Sequence, residues 1–176
     1  MEVKYVPFLK SKQNEVHALA ELDESIAENL VPFFDYPKKQ SGDKAEDIGP
    51  AIIRLAKKFK RYLGGLEEFY FDVYDLNDGL EIEGDHLYSF LLGTFSDFPL
   101  VPVVSIDRSD DHLNSVIKGK EKGVVPSNYV AFRVTPEDFQ NFDAVIEDIE
   151  DMLNPVFSLF EMVDLIFDCR VCSNLD

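Results

Sequence analysis

The chain has 176 residues, 45% of them hydrophobic, and its 34 acids against 17 bases give a formal charge of -17. So large an apolar share excludes a disordered chain and fits one domain, residues 1–176, with a substantial core. The charge repels phosphate backbones and anionic lipid heads, so direct binding of nucleic acid or membrane is not expected.

In chain order, residues 3–9 form a short apolar run ending at Lys10 and Lys12, the first expected strand. Val16, Leu19 and Ala20 recur at helical spacing over residues 13–22, with Asn14 the expected N-cap and a further helical turn at 25–29. Residues 30–34 are apolar again and run into Asp35-Tyr36-Pro37, where the proline halts pairing. A polar loop over 38–47 leads to Pro50 in the first turn of a helix whose apolar face carries Ile52, Ile53, Leu55, Ala56, Phe59 and Leu63, closed by Gly64-Gly65. The run Phe69-Tyr70-Phe71-Asp72-Val73-Tyr74-Asp75-Leu76 reads as a central strand. An acidic loop over 77–84 follows, then a helix capped by Asp85 and holding Leu87, Phe90, Leu91 and Phe95. Residues 100–106 make a fourth strand ending at Asp107-Arg108. A helix then starts at Asp110 or Asp111 and is closed by Gly119 and Gly123. The fifth strand covers 129–134, an amphipathic helix with an acidic face covers 142–153, and the sixth strand covers 163–167, ending in Asp168 and Arg170.

Strands alternating with helices imply right-handed crossovers and a parallel sheet, hence an α/β fold of parallel β/α units. Six strands suit either a TIM-barrel-like arrangement, partial or shortened, or an open doubly wound sheet. Neither Gly-x-Gly-x-x-Gly nor Gly-x-x-x-x-Gly-Lys-Ser/Thr occurs, and Gly64-Gly65 precedes a strand, the wrong side for a phosphate loop; the barrel-like reading is therefore favoured. The sequence identifies no cofactor. Cys169 and Cys172 lack the second pair or neighbouring histidine of a zinc site and lie too late for a thioredoxin-like motif, so buried, inert thiols are expected. Met1-Glu2 opens no leader-like segment and no run of about 20 apolar residues occurs, which predicts a soluble cytoplasmic protein.

The opening Tyr5-Val6-Pro7-Phe8-Leu9-Lys10-Ser11-Lys12, with Glu15, Ala18 and Leu19 and then Leu30-Val31-Pro32-Phe33-Phe34-Asp35, resembles the "beta protein" family of phages and bacteria. The similarity is clearest over residues 5–37. It implies a barrel-like β/α fold in a family without an established activity, and compatible later units around Asp72, Arg133 and Asp168. Family members are generally about twice as long, which implies a shortened member or a fragment with an open sheet edge. Self-association is one way to cover such an edge.

In a parallel β/α fold, functional residues gather at the carboxyl ends of the strands. Counting back by twos from each strand end puts Lys10, Asp35, Asp72, Asp107, Arg133 and Asp168 on one face, with Ser105 beside Asp107. Such a rim reads either as an ion-pair plug or as a ligand site of Lys10, Asp35, Asp107 and Arg133, in which Lys10 and Arg133 hold a small anion while the acids Asp72 and Asp168 perform acid/base work or bind a divalent cation. No motif indicates a metal site. His17, His86 and His112 each stand alone and read as helix surface or boundary residues; no Gly-x-Ser-x-Gly elbow supports a serine hydrolase. Two functions remain: an acidic interaction protein of phage or mobile-element origin that binds a host or partner protein, plausibly a basic one, and a barrel enzyme acting on a small anionic substrate.

Overall fold

A computed structural model of the chain describes residues 4–38 and 44–169. Val3, Arg170 and Cys172, and residues 39–43 of the expected polar loop, lie outside the described residues. Along the chain come β1 (Phe8–Lys10), α1 (Gln13–Ala20), α2 (Glu24–Ala27), β2 (Phe33–Asp35), α3 (Ala45–Tyr62) and β3 (Phe69–Asp72). A two-strand hairpin follows, β4 (Glu81–Ile82) with β5 (Asp85–His86), then α4 (Leu87–Thr94), β6 (Leu100–Val104) and α5 (Asp110–Glu121). β7 (Tyr129–Val134), α6 (Pro136–Gln140), α7 (Phe142–Leu159) and β8 (Met162–Phe167) complete the described fold.

The main sheet runs β1-β2-β3-β6-β7-β8, every neighbouring pair parallel, as the strand–helix alternation predicts. Adjacent strands lie about 4.8 Å apart, so strands three places apart on a flat sheet are separated by roughly 14 Å. Yet Arg133 of β7 bonds Asp35 of β2, and the Tyr70 hydroxyl of β3 donates to Asp164 of β8 at 3.0 Å. Inward-pointing side chains meet across that span because the sheet is curled into a half-barrel. Its convex face carries the larger core, where Phe34, Phe59, Phe69, Phe71 and Phe95 pack in tilted and edge-to-face pairs beneath the helices. The concave face carries a second, smaller core of Val31, Phe33, Tyr70, Val101, Val103, Ala131 and Ile166. These are the residues that alternation places beneath the charged strand ends.

Several element boundaries differ from expectation, each for a local reason. α3 begins at Ala45 and contains Pro50 in its interior rather than its first turn. Gly49, lacking a Cβ, avoids the clash that a proline imposes on its predecessor, and a Cβ there would sit 2.9 Å from Ile82 Cγ2. Residues 81–86 are a hairpin rather than loop and cap: Glu83 and Gly84 both take positive φ (57° and 88°), the turn geometry that suits paired strands. His86, not Asp85, caps α4, its Nδ1 accepting from Tyr88 N–H at 3.2 Å. Ser109, not Asp110 or Asp111, caps α5, and α1 starts at Gln13 without help from Asn14. The expected central strand stops at Asp72, so Tyr74 and Asp75 sit in the turn beyond it.

Pro102 lies inside a central strand, where its missing N–H would weaken the ladder. Tyr88 of α4 repairs the next rung: Val103 N–H donates to its hydroxyl at 2.7 Å, and the hydroxyl donates to Phe71 O at 2.8 Å.

Candidate functional site

β1, β2 and β3 place Lys10, Asp35 and Asp72 in one row, each the last residue of its strand and each opposite the next in register. β7 adds Arg133, and Asp168 follows one residue beyond β8. Arg133 is fully buried and bonds three carboxylates: NH1 donates to Asp35 Oδ1 at 2.8 Å and to Asp72 Oδ2 at 2.7 Å, NH2 to Asp35 Oδ2 at 3.3 Å and to Asp168, and Nε to Asp168 Oδ2 at 3.0 Å. A guanidinium has five N–H donors, and all five are used. The rings of Tyr74, Phe33 and Phe8 surround its Cζ at 4.2, 5.1 and 6.0 Å.

The network extends on both sides. Lys10 Nζ donates to Asp35 Oδ2 at 3.0 Å and to Asp75 Oδ2 at 2.5 Å. Arg108 NH2 donates to Asp72 Oδ1 at 3.0 Å, its NH1 lies 3.7 Å from Asp78, and its Cζ stands 4.8 Å from the Tyr74 ring that also meets Arg133. Burial alone would push the Asp72 carboxyl up; Arg108 and Arg133, with His112 behind them, more than offset this and hold it below the usual carboxylate range. Asp78 is also held well below that range, burial being outweighed by the nearby His112 ring and by Ser109, whose amide donates to it. For Lys10, desolvation is outweighed by Asp75 and Asp35, and its ammonium is held above the ordinary value.

Five of the six predicted rim residues, Lys10, Asp35, Asp72, Arg133 and Asp168, are therefore brought together. Asp107 is not. β6 ends at Val104, alternation lapses there, and Asp107 turns to the surface, where it accepts from the Ser105 hydroxyl. The same lapse swings Arg108 inward, a residue that counting by twos assigns to the opposite face. Asp75 and Asp78 were likewise beyond the reach of alternation, since both follow the end of β3, whereas counting by twos does put Tyr74 on the face of Asp72.

Two other readings need correction. His112 is not a surface residue: it is buried, stacks on Tyr88 at 4.0 Å, and its Nε2 bonds Val103 O at 2.9 Å. A carbonyl only accepts, so Nε2 carries a hydrogen, and Nδ1 lies 3.6 Å from Asp78. The His86 ring lies 6.0 Å from it. Cys169 is exposed, not buried.

On the Lys10 side the network opens into a cavity of about 430 Å³ lined by Phe8, Leu9, Lys10, Asp35, Asp75, Arg133 and Asp168. Chemically the arrangement ties the ends of five strands together through paired charges. With its donors saturated, Arg133 has none left for an incoming anion.

Comparison with known families settles the relationship suggested by the opening strands. The family model described as "Beta protein" matches residues 5–176, which extends the likeness far beyond the first two strands. The chain belongs to the Beta protein family. No curated protein and no solved structure matches it. In this Beta protein the Tyr-Val-Pro opening supplies β1 and the concave-face residue Val6, and Asp35 at the end of the proline-containing second strand is a ligand of both Lys10 and Arg133. Among the described residues, no helix is long and apolar enough to cross a membrane.

Proposed function

We propose that this Beta protein, of phage or mobile-element origin, is a cytoplasmic interaction protein whose acidic exterior binds and modulates a basic host or partner protein. The observation that carries this reading is the saturation of Arg133. The cations at the strand ends are neutralised by their own carboxylates, so the charge excess is presented by the exterior. Helix α7 concentrates it: Asp143, Glu147, Asp148, Glu150 and Asp151 are all exposed, and the helix contains no base. A surface of one sign steers an oppositely charged partner and raises its rate of encounter.

The second reading, a barrel enzyme acting on a small anionic substrate, draws support from the Lys10-lined cavity. Among the described residues Lys10 is then the one rim cation with exposure to receive the anion, against the pull of Asp35 and Asp75.

Capture from host lysate on immobilised protein separates the two. The expected result is a basic partner that is released as salt screens interactions beyond about 8–10 Å. It should be lost when Glu147, Asp148, Glu150 and Asp151 are changed to their amides, and retained by Lys10→Ala. Capture that survives both high salt and the amide changes contradicts the proposal.

A further inference from the structure

Among the described residues the half-barrel has two sides without a neighbouring strand, and they differ in character. Among the described residues β1 and β8 each have a neighbouring strand on one side only. Edges of this kind are normally blunted by prolines or charges, or covered. Pro7 does not blunt β1: its carbonyl accepts from Phe33 N–H at 2.9 Å, so its missing N–H faces β2, and alternation turns the backbone groups of Val6 and Phe8 outward. On β8, Asp168 N–H donates inward to Val134 O at 3.0 Å, so the backbone groups of Leu165 and Phe167 turn outward.

Both edges also expose apolar side chains. Tyr5 (69%) and Phe8 (42%) stand on the first, Leu165 (53%) and Phe167 (57%) on the second. An apolar cavity of about 430 Å³, lined by Val134, Pro136, Phe139 and Phe167 among others, opens beside the end of β8.

The charges decide what fits there. Residues 4–12 carry Lys4, Lys10 and Lys12 and no acid; residues 161–168 carry Glu161, Asp164 and Asp168 and no base. Lys4 and Lys10 already lean on carboxylates of their own chain, and Asp168 on Arg133, which leaves exposed Lys12 on the β1 side and Glu161 and Asp164 on the β8 side as the main steering charges. Pairing β8 with another β8 sets acids against acids, and β1 with β1 sets lysines against lysines. Pairing β8 with β1 joins opposite signs, and keeps every strand parallel.

We propose that two copies of this chain associate head to tail, β8 of each copy adding beside β1 of the other. Contacts of this type close into rings when the rotation between copies suits closure. A sheet curled through half a barrel turns both of its edges toward one side, which suits a ring of two. The inference is independent of the acidic-partner reading.

Light scattering on the eluting protein, over protomer concentrations of about 1 to 100 µM, tests it. The unaltered chain should show twice the 20.1 kDa chain mass. Leu165→Lys, which places a base on the β8 edge, and the double variant Tyr5→Glu with Lys12→Glu, which makes the β1 edge acidic, should each be monomeric. Mixed in equal amounts they should regain the dimer, through one native and one charge-reversed contact. All three substitutions are at exposed positions, and an unchanged circular-dichroism spectrum and melting midpoint verify folding. A 20.1 kDa species for the unaltered chain throughout, a dimer that persists in Leu165→Lys, or a mixture that stays monomeric overturns the proposal. Lysate capture by monomeric Leu165→Lys keeps the two readings distinguishable, since a partner docked on α7 is then still bound.

Discussion

A buried guanidinium is tolerated only where carboxylates replace its water, and Arg133 meets three of them. The same pairing makes the fold sensitive to acid. Asp72 and Asp78 have native pKa values below the ordinary aspartate value of about 3.9, so their stabilisation is present above that value and is lost as pH falls through the native values. Lys10, raised instead, contributes below its unfolded value and loses that contribution as pH rises through its native one. Urea denaturation at a series of pH values should show stability that is level from about pH 5 to 8 and falls steadily below about pH 4. Stability that holds or rises on acidification contradicts the assignment. These residues were legible in the sequence because Lys10, Asp35, Asp72 and Arg133 lie inside regular strands, and Asp168 one residue after, where side chains alternate strictly. Asp107 and Arg108 lie past the end of β6, and nothing in residue spacing reports how a turn will aim them.

Among the elements, α4 contributes more than an apolar face. Its Tyr88 hydroxyl occupies the rung between β3 and β6 next to Pro102, and the His112 ring stacks on it from α5. Burial foremost, and then the charge of Asp72, drives the phenol's pKa well above its ordinary value, so it remains a donor. Tyr88→Phe keeps the packing but leaves Val103 N–H and Phe71 O buried without a partner, at a cost of about 1–3 kcal/mol in denaturant unfolding. A loss under about 0.5 kcal/mol, the range of ordinary surface changes, would show that the sheet closes the rung without the hydroxyl. Periodicity located the helices and strands, but their ends depend on caps. Thr135 and Asp138 form a reciprocal capping box that starts α6 directly after β7, a signal the three-residue spacing carries. The Glu83-Gly84 turn was hidden because glutamate seldom takes positive φ.

For the whole molecule, the parallel strand order and the common mouth followed from the recurrence of apolar runs ending in charge, and the curl decided against an open doubly wound sheet. Curvature is already implied by the barrel-like reading; which side chains fix it was not legible, because Phe33, Tyr74 and the carboxylates converge on one guanidinium only when the sheet is curled. The central claim is that the charges at the mouth hold the half-barrel together while binding belongs to its exterior. Substituting Arg133 by methionine, with chemical denaturation and lysate capture measured on the same preparation, tests this most directly. The account predicts a loss of about 3–5 kcal/mol, because three buried carboxylates each lose a charged partner, with capture per folded molecule unchanged. A variant that is as stable as the unaltered protein but no longer captures its partner would contradict it.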